Sequence, residues 1–181
     1  MSGIINATNL EVANIKDSTG TNTAMTVDSS GRVTTPNKPL FYTRGYASTI
    51  SSATAINGVT PNGTIRIMLF DEVALNVGNH FSNTTGKFTV PVAGIYQVNW
   101  NIGYKNANSY SKVALFLTSS DNASYGYSLV WTSNNHQYNS SSATVYVSAS
   151  VGQEFAMCLD TQYTVPHTHE AYTSFGAMLI G

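Results

Sequence analysis

Residues 78–104 read Gly78-Asn79-His80-Phe81-Ser82-Asn83-Thr84-Thr85-Gly86-Lys87-Phe88-Thr89-Val90, then Pro91-Val92-Ala93-Gly94-Ile95-Tyr96-Gln97-Val98-Asn99-Trp100-Asn101-Ile102-Gly103-Tyr104. From Ile95 the alternation is nearly strict. Tyr96, Val98, Trp100, Ile102 and Tyr104 fall on one side, and Gln97, Asn99 and Asn101 on the other. A period of two marks a strand with one buried face. Three aromatics on that face place the strand at the centre of a sheet. Phe88 to Val92 reads as a shorter strand, at an edge or bulge because of Pro91. Ala93-Gly94 reads as the turn between them.

Working outward, the same pattern recurs in short pieces. Leu40-Phe41-Tyr42 opens a domain as an aromatic strand. Ile65 to Leu69 and Val73 to Val77 are strands joined at Phe70-Asp71-Glu72, and Val113, Leu115 and Leu117 share a face. Tyr125 to Trp131, then Ala143, Val145, Val147 and Ala149, then Phe155 to Leu159 and Tyr172 to Ile180 complete the series. Ser48 to Gly63 reads as a polar loop or a pair of edge strands, and Thr164 to Glu170 as a polar loop. No 3.6-residue periodicity is sustained over two turns. About ten short strands with polar loops predict an all-β, jelly-roll sandwich.

The order Asn76-Val77-Gly78, Phe81, Gly86-Lys87-Phe88, Val90-Pro91, Gly94-Ile95-Tyr96 resembles the core signature of C1q-type domains of the C1q/TNF-like superfamily. Val98 stands where that family usually has an aromatic, and Trp100 follows two residues later. Val151-Gly152-Gln153-Glu154-Phe155 is similar to the family's Gly-Asp turn, with Gln153 in the acid's place. Phe175-Gly176-Ala177-Met178-Leu179-Ile180 is similar to its closing strand, with the glycine one residue early. The resemblance spans Leu40 to the end. It implies a C1q/TNF-like jelly roll and a homotrimer. Fold residues on this reading are Phe88, Gly94, Tyr96, Val98, Trp100, Phe175 and Leu179. Some C1q-type proteins hold calcium at loop acids, but no Asp cluster here matches that site.

Residues 1–38 differ in kind. They contain no aromatic, and their apolar residues Leu10, Val12, Ile15, Met25, Val27 and Val33 are isolated. Three weak strands are separated by turns at Ser18-Thr19-Gly20 and Asp28-Ser29-Ser30-Gly31. Such a segment buries too little apolar area to order itself and needs a partner surface. Pro36 and Pro39 bracket a stiff joint, so the division expected is an extended docking arm at 1–38 and a jelly roll at 39–181. Asn9-Leu10-Glu11-Val12-Ala13-Asn14-Ile15 and Val27-Asp28-Ser29-Ser30-Gly31-Arg32-Val33 resemble the front segments of virion structural and fibre proteins of tailed phages. That resemblance implies major capsid or other virion proteins as partners of the arm.

Composition narrows the chemistry. Of 181 residues only 9% are charged, with a net charge of −1. No basic patch is available to neutralise phosphates, which argues against nucleic acid. No run approaches the ~20 apolar residues of a membrane helix, and Met1 to Leu10 has neither the basic start nor the apolar run of a signal peptide. Synthesis in the host cytoplasm and a place on the virion surface are expected. The nine acids fall mostly in turns and offer no converging pair for glycoside hydrolysis. Cys158, alone, reads as a small buried hydrophobe. His167-Thr168-His169 is a weak metal candidate, because two ligands from one chain are too few for a metal site; neither metal nor cofactor is expected. Tyr125, Tyr127, Trp131 and Tyr138, set among Asn and Ser, suit contact with a host glycan.

The expectation is therefore a non-enzymatic phage virion protein: a capsid decoration or cement protein, or a short fibre or spike knob used in host attachment. A soluble C1q-like lectin is the alternative, and a polysaccharide depolymerase a third reading.

Overall fold

The computed structural model describes residues 13–16, 19–21, 23–45, 48–50, 65–105, 111–118, 124–132, 138–160, 167–168 and 173–181. The chain divides into two compact units, Met1–Lys38 and Pro39–Gly181.

In the first unit β1 (Asn14–Lys16), β2 (Thr23–Val27) and β3 (Val33–Thr34) form their own antiparallel sheet in chain order. The three weak strands expected between turns are present, and local hydrogen bonds hold the second turn. The Asp28 carboxylate accepts from the Ser30 and Arg32 N–H groups at 2.8 and 3.0 Å and from Arg32 Nε at 2.7 Å. These bonds, the Arg32 N–H first, hold the Asp28 carboxyl below its ordinary range. None of the unit's described residues is buried. Ile15, Met25, Val27 and Val33 lie on its strands, whereas Leu10 and Val12 lie outside the described residues.

The second unit contains β4 (Leu40–Arg44), β5 (Ser48–Ile50), β6 (Ile65–Leu69), β7 (Glu72–Val77), β8 (Phe81–Ser82), β9 (Lys87–Thr89), β10 (Gly94–Lys105), β11 (Ser111–Thr118), β12 (Ser124–Thr132), β13 (Tyr138–Ala149), β14 (Glu154–Asp160), β15 (His167–Thr168) and β16 (Ser174–Leu179). One sheet has the order β13-β10-β16-β4-β7, with β15 on β10. The other has the order β12-β11-β14-β6-β5, extended by β8 and β9. All pairings are antiparallel, and no helix occurs among the described residues. The architecture is the all-β jelly-roll sandwich expected. There are more strands than expected: β8 and β15, two residues each, are too short for a readable period, and β5 is an edge strand within 48–63.

The long strand β10 lies between β13 and β16, in register from Gly94 opposite Ala149 to Lys105 opposite Tyr138. Tyr96, Val98, Trp100 and Ile102 are buried from this strand, and the side chain of Tyr104 lies outside the described residues. Phe175 and Phe41 join them from β16 and β4, and Phe155, Met157, Leu115 and Met68 from the facing sheet. Phe41 stacks on Phe81 and Phe88 at 4.8 and 4.7 Å, and Phe88 stacks on Phe155 at 5.9 Å. Aromatic pairs of this kind contribute about 0.5–1.5 kcal/mol each beyond the burial of their area.

The quoted stretch gains physical reasons. Asn76 donates from Nδ2 to the Phe81 carbonyl at 2.9 Å and accepts from the Phe81 N–H at 3.0 Å, closing the 76–81 loop. A side chain at Gly86 would run into the Met68 carbonyl, and its φ of +68° is left-handed. Two expectations change. The strand after Gly86 ends at Thr89 rather than Val92, because the Val90 N–H turns to the Gln153 carbonyl. Gly94 is not a turn residue but the first residue of β10, where a Cβ would sit 2.5 Å from the Gly181 carbonyl oxygen and 2.7 Å from Leu179 Cδ1. Leu179 is half-buried and packs against the core from opposite Tyr96.

Candidate interaction surfaces

Strand alternation that sends Tyr96, Val98 and Trp100 inward sends Ile95, Gln97, Asn99 and Asn101 outward. The register extends this face across the first sheet. Tyr146, Gln97, Met178, Leu40 and Val77 form one row, and Thr144, Asn99, Gly176, Tyr42 and Leu75 the next. Tyr146 is 67% exposed, Leu75 49%, Ile95 46% and Met178 39%. Gly176 leaves no room for a side chain: a Cβ would sit 2.9 Å from the Phe41 carbonyl oxygen and 3.2 Å from Tyr42 Cδ2. Among the described side chains of this face, charge enters where Arg44 grips Glu72 with two bonds of 2.8 Å. The pair raises the arginine's pKa and lowers the glutamate's. The face is thus broad, apolar at its rim and amide-rich at its centre.

The outer side of the other sheet is built differently. Ile67, Ala156 and Cys158 form a small buried cluster there. Lys87 lies beside it, with Nζ 3.0 Å from Glu154 Oε2 and both side chains largely covered. Burial pushes the Cys158 thiol well above its ordinary range, opposed weakly by the Lys87 charge. Such a thiol is a packing group, not a nucleophile.

The other sequence candidates are placed by register. Tyr125 and Tyr127 stand opposite Leu117 and Leu115, and Trp131 opposite Lys112, on the terminal strand β12. Tyr138 opens β13 opposite Lys105. Their side chains lie outside the described residues. His167 does not belong to a loop as expected: His167-Thr168 pairs with Lys105 and Tyr104 as β15. His169 lies outside the described residues. No group of three His, Cys, Asp or Glu residues capable of holding a metal occurs among the described residues. Asp28, Glu72 and Glu154 are each engaged by a cation.

Sequence reasoning did not single out Tyr146, Leu75, Ile95 and Met178. For Tyr146 and Ile95 the signal was available: each lies on the polar phase of an alternating strand, where an apolar residue has no core to enter; Leu75 shares its phase with Val73 and Val77, and a register shift beside it separates it from Val73.

Comparison with known proteins places this geometry. The family model described as "C1q domain" matches residues 52–180. The crystal structure of murine APRIL at pH 8.5 superposes with a TM-score of 0.59 at 10% identity, covering 78% of this chain and 98% of that one. The globular domain of zebrafish complement 1qA protein superposes with a TM-score of 0.56 at 16% identity, covering 80% and 98%. The two-sheet order, the Asn76 loop, the Gly86 and Gly94 contacts and the family match agree, and the chain belongs to the C1q-domain family.

Proposed function

We propose that this chain forms a homotrimeric, non-catalytic binding protein of a phage virion surface, held on the particle by its N-terminal unit. The observation that carries the trimer is the outer face of the first sheet. It is broad, amide-rich at its centre, and presents Ile95, Tyr146, Met178 and Leu75 to solvent. Subunit interfaces are depleted of charge at their cores, and contiguous exposed apolar faces mark contact sites. The family resemblance implies three copies. Support for the virion role is the likeness of 9–15 and 27–33 to phage segments and the separate compact unit that contains them. The partners would be major capsid or other virion proteins. Decoration or cement on the capsid, and a short fibre or spike knob, are the two forms of this role. Function would rest on avidity, three weak contacts acting as one.

Sedimentation of the full chain is expected to give three copies per particle, and Tyr146→Asp with Met178→Asp to give monomers. A monomeric parent, or a double variant that remains trimeric, refutes the interface. Binding of the full chain but not of residues 39–181 to virions stripped of the protein tests the anchor; equal binding refutes it. The soluble lectin reading draws on Tyr125, Tyr127 and Trp131 falling on a terminal strand. Glycan-array binding without particle association favours it.

A further inference from the structure

We infer that the N-terminal units of three chains pack their apolar faces against one another, forming a short three-sided β-stem. The inference rests on the trimer proposed above and names the occupant of a face that a single chain leaves open.

The face follows from register. Ile15 stands opposite Met25, and Val27 opposite Val33. Residues directly opposite on antiparallel strands share a face, and so do Met25 and Val27, two apart on one strand. All four apolar side chains therefore lie on one side of the sheet, with Thr23 and, opposite it, Lys16 at its margin. The other side carries Asn14, Thr26 and Thr34, with Thr26 Oγ1 bonded to Asn14 Oδ1 at 2.9 Å. Ile15 is 46% exposed and Val33 58%, with Met25 and Val27 half-buried.

Area and charge decide what covers this face. Four aliphatic side chains present on the order of a few hundred Å², well below the roughly 800 Å² per partner of a free-standing interface. An untethered partner would be held too weakly. A sister copy tethered by the same trimer needs far less, because its effective concentration reaches about the millimolar range. The tether is short. Asn37 Nδ2 binds the Thr23 carbonyl at 3.1 Å and the Lys38 N–H binds the Thr35 carbonyl, so the segment before Pro39 has little slack. Residues 1–38 contain three acids, Glu11, Asp17 and Asp28, and three bases, Lys16, Arg32 and Lys38, so the units carry no net charge, and the Lys16 stem can lie along the margin of the face with its ammonium in water. Asp28 and Arg32 already neutralise each other within the turn. Three sheets with one apolar face each close into a prism that leaves no such face over. The polar faces and sheet edges then remain for the particle.

The test uses the full chain carrying Val33→Cys, labelled with pyrene maleimide, beside the unlabelled chain in hydrogen exchange. In dilute trimers the expected result is excimer emission, with the amides of 23–27 exchanging at least about tenfold more slowly than in a Met25→Ser, Val27→Ser chain. The same double substitution is expected to abolish the excimer without changing the melting of residues 39–181. Trimers without excimer and with equal exchange overturn the stem and leave the trimer reading intact. Excimer that persists in the double serine chain also overturns it, because the named face would not be what joins the copies. A monomer in sedimentation overturns both readings.

Discussion

Tyr96 is the residue at which the account of the core is most exposed to test. Its ring is wholly buried. It meets Phe155 at 5.6 Å and Phe88 at 5.9 Å, both edge-on, and its hydroxyl donates to the Val92 carbonyl at 2.8 Å. Two substitutions separate these roles. Tyr96→Phe keeps the ring and removes one hydrogen bond. Val92 is exposed, so water can reach its carbonyl, and the expected cost is about 0.5–1.5 kcal/mol. Tyr96→Ala removes the ring and opens a cavity that Phe88 and Phe155, stacked at 5.9 Å, cannot both move to fill. That loss is expected to be about 3–5 kcal/mol. For a unit of this size a kilocalorie moves the midpoint by roughly 2–4 °C, so the alanine variant should melt ~10 °C or more below the parent. Urea unfolding followed by aromatic fluorescence, at fixed protein concentration, measures both. An alanine variant within a degree of the parent would show that Tyr96 does not face inward, and the register of β10 would then be wrong along its whole length. A phenylalanine variant as damaged as the alanine one would place the stabilisation in the hydroxyl instead.

Thr43 Oγ1 is buried with no hydrogen-bond partner among the described residues, so the isosteric Thr43→Val is expected to raise stability by about 1 kcal/mol; a drop in the urea midpoint would reveal a missing partner. Gly94→Ala must displace the Gly181 carbonyl or Leu179 and should cost roughly 1–3 kcal/mol, read in the same assay. Cys158 should react with a thiol reagent only after denaturant is added, and prompt labelling of the native protein would contradict its burial. The Asp28 carboxyl is held below its ordinary 3.8, so its contribution to the 28–32 turn is present above that value and lost as pH falls through the folded value. Carbon-13 titration of the Asp28 carboxyl by NMR checks the direction.

The strands readable in the sequence were those long enough to show a period. Tyr96 through Ile102 declares its buried face because four apolar residues repeat every second position. β8 and β15, two residues each, are fixed by what lies beside them, Phe88 opposite Phe81 and Lys105 opposite His167, and no local pattern encodes such a neighbour. Gly94 misled for a related reason. A glycine beside an alanine after a proline reads as a turn, and only the tertiary approach of Gly181 shows why a side chain is excluded. The outer face was legible position by position but not as a surface. Ile95, Tyr146 and Met178 come from three strands far apart in the chain, and only the register of β10 with β13 and β16 brings them together. In residues 1–38 the turns were readable, whereas the pairing of Ile15 with Met25 depends on a bulge after Ile15 that composition does not mark.

The position of β4 bears on how the protein withstands force. The chain enters the second unit at Pro39, whose carbonyl accepts from the Leu179 N–H, and continues at once into β4. That strand is not at a margin: β16 flanks it on one side and β7 on the other, with five residue pairs on each. Tension arriving through residues 36–38 and resisted at the far end of the sandwich runs along β4. Failure then requires both flanking ladders to slide together, not one hydrogen bond after another to open. Phe41, held between Phe81 and Phe88, acts as a peg against that slide. Rupture under load is governed by the rate of unfolding rather than by equilibrium stability. Substitutions at Phe41 should therefore weaken a pulled chain out of proportion to their effect on its melting.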